Sequence, residues 1–146
     1  MSDLQCAATF VLAVDGEVDG DKPDLERVGG LWTSPATLAA AEVVGARLGL
    51  AARPDPRLGP RGDEEQPHAA AARLADALWD ISDLTRGETS LVLTHLDLVT
   101  DAVTSRCRNV TVDVTSVGLA AGETAVVEVD SDGWVCTRWG QRVFPK

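Results

Sequence analysis

The sequence predicts an α/β fold in which a mostly parallel sheet is covered by helices and extended by an antiparallel C-terminal edge. Three observations support this prediction. Two short apolar runs, residues 9–14 and 90–94, have the length and β-branched content of strands buried on both faces. Segments with helical spacing lie between and after these runs. The last third of the chain changes to alternating residues and a hairpin turn.

Along the first third, the strand at 9–14 is followed by residues 15–26, which hold six carboxylates and predict a mobile loop. Residues 31–33 predict a second short strand. Ser34 before Pro35 is typical of a helix start, and it predicts a helix over 35–48 that Gly49 closes.

The rest of the chain alternates between the two kinds of structure. The predicted elements are irregular or edge structure at 53–67, helices at 68–84 and 96–107, a strand at 90–94, and strands at 110–117, 123–129 and 134–139. The turn between the last two strands is predicted at 130–133. Because the last strands follow one another without helices between them, they are predicted to form the antiparallel C-terminal edge of the sheet.

Composition limits the class of protein. The chain has 146 residues and a formal net charge of −10, with 45% hydrophobic residues, which predicts one globular domain over residues 1–146. An acidic surface repels polyanions, so nucleic acid is excluded as a partner. No apolar stretch is long enough for a membrane helix, and the N-terminus lacks the pattern of a secretory signal. These features predict a cytoplasmic protein without a membrane partner.

The three cysteines are Cys6, Cys107 and Cys136. Their odd number and wide spacing, without a C-x-x-C pair, argue against a disulfide framework or a zinc site. We expect them to be small core residues, with a catalytic thiol as the alternative. The sequence predicts no resident metal and no cofactor.

Three segments, taken in order, carry a resemblance to a known family. They are residues 12–17 (LAVDGE), 33–39 (TSPATLA) and 91–96 (LVLTHL). In position they resemble the Arg-His-Gly-Glu, Ser-Pro-x-x-Arg-Ala and Thr-His-Gly motifs of the histidine phosphatase superfamily. The resemblance covers nearly the whole chain. It implies a three-layer α/β/α, phosphoglycerate-mutase-like fold with a reduced cap.

The residues that perform the chemistry of that family are replaced. The resemblance aligns Asp15 with the nucleophilic histidine, and Val14 and Leu38 with two phosphate-binding arginines. His95 keeps the second histidine, and Leu96 replaces the glycine that follows it. A phosphate dianion beside Asp15 would meet repulsion of about 1 to 4 kcal/mol per charge pair at about 4 Å. Phosphatase activity is therefore not expected, unless a divalent metal or Arg57, Arg61 or Arg106 reaches the site.

The candidate catalytic pair is Asp15 and His95, which follow the two buried strands and suit proton transfer. The candidate substrate-binding residues are Glu17, Trp32, Leu38, Glu64 and Leu96. Which of Asp63, Glu64 and Glu65 faces the cleft stays open. Simpler interpretations also stay open: Asp15 as a turn residue, His95 as a structural residue and Trp32 as packing. A metal site formed by Asp15, Glu17, His95 and Asp97 is a lesser alternative.

These residues predict a repurposed acid–base enzyme that acts on a neutral or cationic small molecule as an isomerase, dehydratase, cyclase or hydrolase. A non-catalytic binding or regulatory protein is the first alternative. Residual phosphatase or mutase-like activity through His95 or a metal is the second. The terminal hairpin offers an edge for a homodimer.

Overall fold

The sheet has seven strands. The computed structural model describes residues 7–14, 27–120 and 122–144. The strands are β1 Ala8–Val14, β2 Val28–Thr33, β3 Ala52–Pro54, β4 Thr89–Thr94, β5 Thr124–Asp130, β6 Gly133–Trp139 and β7 Arg142–Val143. The helices are α1 Leu38–Leu48, α2 Pro67–Leu84, α3 Leu96–Arg106 and α4 Val112–Thr115, with 3-10 turns at Pro35–Thr37 and Pro56–Leu58.

The strand order is β3-β2-β4-β1-β5-β6-β7. The first four of these strands are parallel, whereas β5 pairs antiparallel with β1, β6 with β5 and β7 with β6. The prediction of a mostly parallel sheet with an antiparallel C-terminal edge is confirmed. The central strands β1 and β4 are buried along nearly their whole length, which explains why their sequences are continuous apolar runs.

Helices cover both faces of the sheet. On one face, Ala41 and Val44 of α1 pack against Leu31 and Leu91. On the other face, α2, α3 and α4 form a larger core with Phe10, Leu12 and Val92 of the sheet. The three-layer α/β/α architecture is therefore confirmed.

The helix predicted at 35–48 forms as a 3-10 turn followed by α1. Ser34 caps the turn, and its Oγ accepts a hydrogen bond from the backbone N–H of Ala36 at 3.2 Å. Gly49 ends the helix in the left-handed conformation with φ 72°, which glycine adopts without steric cost. This confirms both the predicted start and the predicted end.

The strand predicted at 110–117 is wrong. Residues 112–115 form the short helix α4, in which the N–H of Ser116 bonds to the carbonyl of Val112 at 3.0 Å. The buried valines of this segment are Val110 and Val114, four residues apart, whereas Val112 is 63% exposed. Burial thus follows the helical spacing, and the alternation of valines with polar residues does not mark one face of a strand.

Two of the three cysteines lie in the described part of the chain. Cys107 and Cys136 are buried free thiols in the larger core, as predicted, and Cys6 lies outside the described residues. Among the residues the structure describes, no helix combines the length and apolar character that crossing a membrane requires.

Candidate functional site

The carboxyl ends of the parallel strands meet at one edge of the sheet. Val14 at the end of β1 pairs with Thr94 at the end of β4, and Thr33 at the end of β2 pairs with Leu93. The next residues along β2 and β4 are Ser34 and His95. Open α/β sheets bind ligands outside the carboxyl ends of their strands, so this edge is the candidate functional site.

A hydrogen bond joins two of these residues across 61 positions of sequence. Nε2 of His95 lies 2.9 Å from Oγ of Ser34. Ser34 is fully buried, whereas His95 is partly exposed. The imidazole is therefore fixed at one nitrogen by a residue that solvent does not reach.

The protons of this bond can be assigned from the partners of Ser34. A hydroxyl has one proton to donate and two lone pairs that accept. Oγ already accepts from the N–H of Ala36, and its other polar neighbour in the described part of the chain is Nε2 of His95. If the buried hydroxyl donates this proton to Nε2, the ring proton of the imidazole lies on Nδ1.

Threonines fix the backbone around the pair. Thr33 and Thr37 each place Oγ1 within 3.2 Å of the Ser34 carbonyl, and their two hydroxyls are 2.8 Å apart. Oγ1 of the buried Thr94 donates to the carbonyl of Leu58 at 2.6 Å. The strand ends that carry Ser34 and His95 are therefore held by short side-chain bonds.

Two of the three arginines considered for this edge are paired with carboxylates. Arg57 contacts Asp55 at 2.9 Å and Asp80 at 2.7 Å, and Arg61 contacts Asp101 at 2.8 Å. Hydrogen bonds from Asp55 and Asp80 raise the pKa of Arg57. Each guanidinium thus already has an anionic partner within the protein.

The carboxylates of these pairs respond in opposite ways. For Asp55, burial favours the neutral form, but hydrogen bonds from the Arg57 side chain and backbone outweigh it, and the pKa is lowered. For Asp101, burial is the larger effect and the pKa is raised, even though Arg61 opposes it. The difference arises because Asp55 accepts from both the side chain and the backbone N–H of Arg57, whereas the neighbouring carboxylates of Asp97 and Glu65 also raise the pKa of Asp101.

Arg106 lies at the far end of the sheet. It is the last residue of α3 and lines a cavity with Ser131 and Trp134 of the terminal hairpin. That hairpin lies beside Ala8, at the amino end of β1, so Arg106 does not reach the edge where His95 lies.

Arg73 of α2 is a residue that the sequence analysis missed. It donates to the carbonyls of Arg57, Gly59 and Pro60 at 2.7, 3.0 and 3.1 Å, and it pairs with Glu65 at 2.7 Å. The hydrogen bond from Arg73, together with one from the Gly62 N–H, lowers the pKa of Glu65 to about 2. The available signal was a lone arginine on a helix that follows a proline-rich segment with few backbone bonds of its own.

The structure describes only some of the other predicted site residues. Asp15 and Glu17 lie outside the described residues. Leu38 and Leu96 are the first residues of α1 and α3, the helices that follow Ser34 and His95, and Leu96 packs against the larger core. Glu64 and Asp63 are exposed, whereas Glu65 is bound to Arg73.

Trp32 lines a cavity to which His95 does not contribute. Its half-buried ring packs toward the α2 side of the sheet and lines a separate cavity with Gly30 and Arg53. Arg53 lies over the indole at 5.3 Å from its centroid. Across residues 7–14, 27–120 and 122–144, no three His, Cys, Asp or Glu side chains form a group able to hold a metal ion.

The chain is similar to several solved structures of one fold. YhfR of Bacillus stearothermophilus is 17% identical with a TM-score of 0.65, and the match covers 95% of this chain and 98% of that one. Mycobacterial glucosyl-3-phosphoglycerate phosphatase is 11% identical with a TM-score of 0.67, over 94% and 100% of the two chains. Phosphoserine phosphatase of Entamoeba histolytica is 10% identical with a TM-score of 0.63, over 92% and 96%. No family model and no curated protein matches the chain.

Proposed function

We propose that the chain, which has the histidine phosphatase fold, is a protein without phosphatase activity. This fold is also called the phosphoglycerate-mutase-like fold. In this proposal it is a small-molecule acid–base enzyme that uses Asp15 and His95. The supporting observation is the bond between Ser34 and His95, which keeps an imidazole oriented at the carboxyl edge of the sheet.

The arginines near the described part of this edge are already paired with carboxylates of the protein. Val14 and Leu38 stand where the resemblance places arginines, and Arg57 and Arg61 are each bound to carboxylates. Recruiting either arginine for a phosphate would leave its carboxylate partner unpaired, which costs free energy in a partly buried site. A neutral or cationic substrate meets no such cost.

The bond between Ser34 and His95 suggests how the work is divided. His95, oriented by Ser34, would exchange a proton or a hydrogen bond with a carbonyl or hydroxyl oxygen of a substrate. Asp15 directly follows Val14, the partner of Thr94 in the sheet, and its carboxylate would take and return a proton. A carboxylate beside an oriented imidazole suits proton transfer next to a carbonyl, so isomerisation is the favoured reaction class.

The first test separates this proposal from phosphatase activity. We expect no hydrolysis of p-nitrophenyl phosphate, with or without Mg²⁺. A thermal-shift screen of neutral and cationic carbonyl metabolites should find a stabilising ligand, and Asp15→Asn and His95→Ala should each weaken its binding by tenfold or more. His68→Ala is the matched control, because His68 is the other histidine of the chain and is exposed on α2.

Two outcomes would contradict the proposal. Phosphate release that His95→Ala abolishes and His68→Ala leaves intact would establish residual phosphatase activity. The absence of any stabilising metabolite, together with a stoichiometric protein partner, would favour the non-catalytic binding protein.

A further inference from the structure

A second cavity lies away from His95, beside β2 and the edge strand β3. It has a volume of about 220 Å³ and is lined by β2, by the edge strand β3 and by the segment between α2 and β4. We propose that this cavity binds a free α-amino acid with an apolar side chain. The inference is independent of the proposed acid–base chemistry, since His95 and Ser34 do not line the cavity.

The floor of the cavity is open because two glycines lie in β2. The pairing of β2 with β4 shifts register between Val28 and Gly30, so Gly29 is the extra residue of a bulge. A side chain on Gly30 would come within 3.4 Å of Ser90 Oγ and 3.5 Å of Trp32 Nε1. The buried hydroxyl of Ser90 has no hydrogen-bond partner in the described residues. The glycines therefore keep space beside polar groups that a larger residue would cover.

The cavity has one charge of each sign on its lining. Arg53 stacks over the ring of Trp32, and Glu88 lies just before β4. Within the described residues neither side chain takes part in an ion pair, whereas Arg57, Arg61, Arg73 and Arg86 each hold a carboxylate. A guanidinium binds a carboxylate with two parallel hydrogen bonds, and a glutamate accepts from an ammonium group. A zwitterion would satisfy both charges together.

The lining also carries apolar surface. Leu84 on the lining is 70% exposed, and Trp32 is half-buried. Small-molecule sites commonly combine such apolar walls with a few polar groups that fix orientation. An aromatic or branched side chain of the ligand would cover the indole and Leu84, and this selects an apolar amino acid over glycine or a charged one.

The test is an NMR titration of the full ¹⁵N-labelled chain with L-phenylalanine. Binding should shift the amides of Gly29 and Gly30 and the indole N–H of Trp32. Phenethylamine, which lacks the carboxylate, and 3-phenylpropanoate, which lacks the ammonium group, should each bind at least tenfold more weakly than L-phenylalanine.

The variants assign each charge to its partner. Arg53→Gln should weaken the binding of L-phenylalanine and of 3-phenylpropanoate by tenfold or more and leave the binding of phenethylamine unchanged. Glu88→Gln should weaken the binding of phenethylamine and leave that of 3-phenylpropanoate unchanged. Arg106→Gln is the control, because Arg106 is exposed at the end of α3 and lines a different cavity. The proposal is overturned if L-phenylalanine shifts none of these signals at millimolar concentration, or if Arg53→Gln binds it as the unchanged chain does.

Discussion

The carboxyl edge of the sheet and the Trp32 cavity use their charged residues in opposite ways. At the carboxyl edge, Arg57, Arg61 and Arg73 are bound to carboxylates of the same chain and hold the segment between β3 and α2. In the cavity, Arg53 and Glu88 face the same space and form no ion pair among the described residues. The contrast teaches that an arginine close to a site is available to a ligand only if the fold has not already satisfied it.

The largest effect that tests this contrast is expected for Arg73. Arg73→Ala removes bonds to three backbone carbonyls and to Glu65, so we expect the free energy of unfolding to fall by about 2 to 3 kcal/mol. Urea titration followed by circular dichroism measures it. Arg86→Ala is the matched control, since Arg86 makes an i,i+3 pair with Asp83 on α2, and its loss should cost less than about 1 kcal/mol. Equal losses in the two variants would show that Arg73 does not hold the segment.

These contacts also mark how far the sequence predicts the structure. The strands at 9–14 and 90–94 and the helix that begins after Ser34 were predictable, because their signals are local: a continuous apolar run, or a cap followed by proline. The strand predicted at 110–117 was wrong, because α3 and the sheet bury Val110 and Val114 at helical spacing and overrule the alternation. Local pattern is therefore reliable only where packing agrees with it.

The candidate site was less predictable than the fold. His95 was identified by its position after a buried strand and by the motif it resembles, but Ser34, 61 residues away, was not predicted to be its hydrogen-bond partner. The pairing of Arg57 with Asp80 and of Arg61 with Asp101 likewise depends on how α2 and α3 pack against the segment that holds the two arginines. No local signal specifies such distant partners.

A moderate effect is expected for Ser34. In the unchanged protein, the ¹⁵N spectrum of neutral His95 should show a protonated Nδ1 and an unprotonated Nε2. Ser34→Ala removes the donor to Nε2, so the two tautomers should mix, and loss of the cap should lower the free energy of unfolding by about 1 kcal/mol. His68, which is exposed, supplies the reference signal in the same spectra. A proton found on Nε2 in the unchanged chain would reverse the assignment of donor and acceptor.

The smallest effect concerns Glu65, whose pKa is lowered to about 2 by its bonds to Arg73 and to the N–H of Gly62. A depressed pKa stabilises the folded state above the ordinary value near 4.5, and this contribution is lost as the pH falls from that value toward 2. Glu65→Gln should therefore be less stable than the unchanged chain at pH 6, and the difference should shrink steadily below pH 4.5. Thermal unfolding of both chains across this range measures it, with exposed Glu64→Gln as the control. If the difference in stability between the two chains does not depend on pH, the Glu65 carboxylate does not stabilise the fold through its charge. The pairing of arginines at this edge would then be weaker than its geometry indicates.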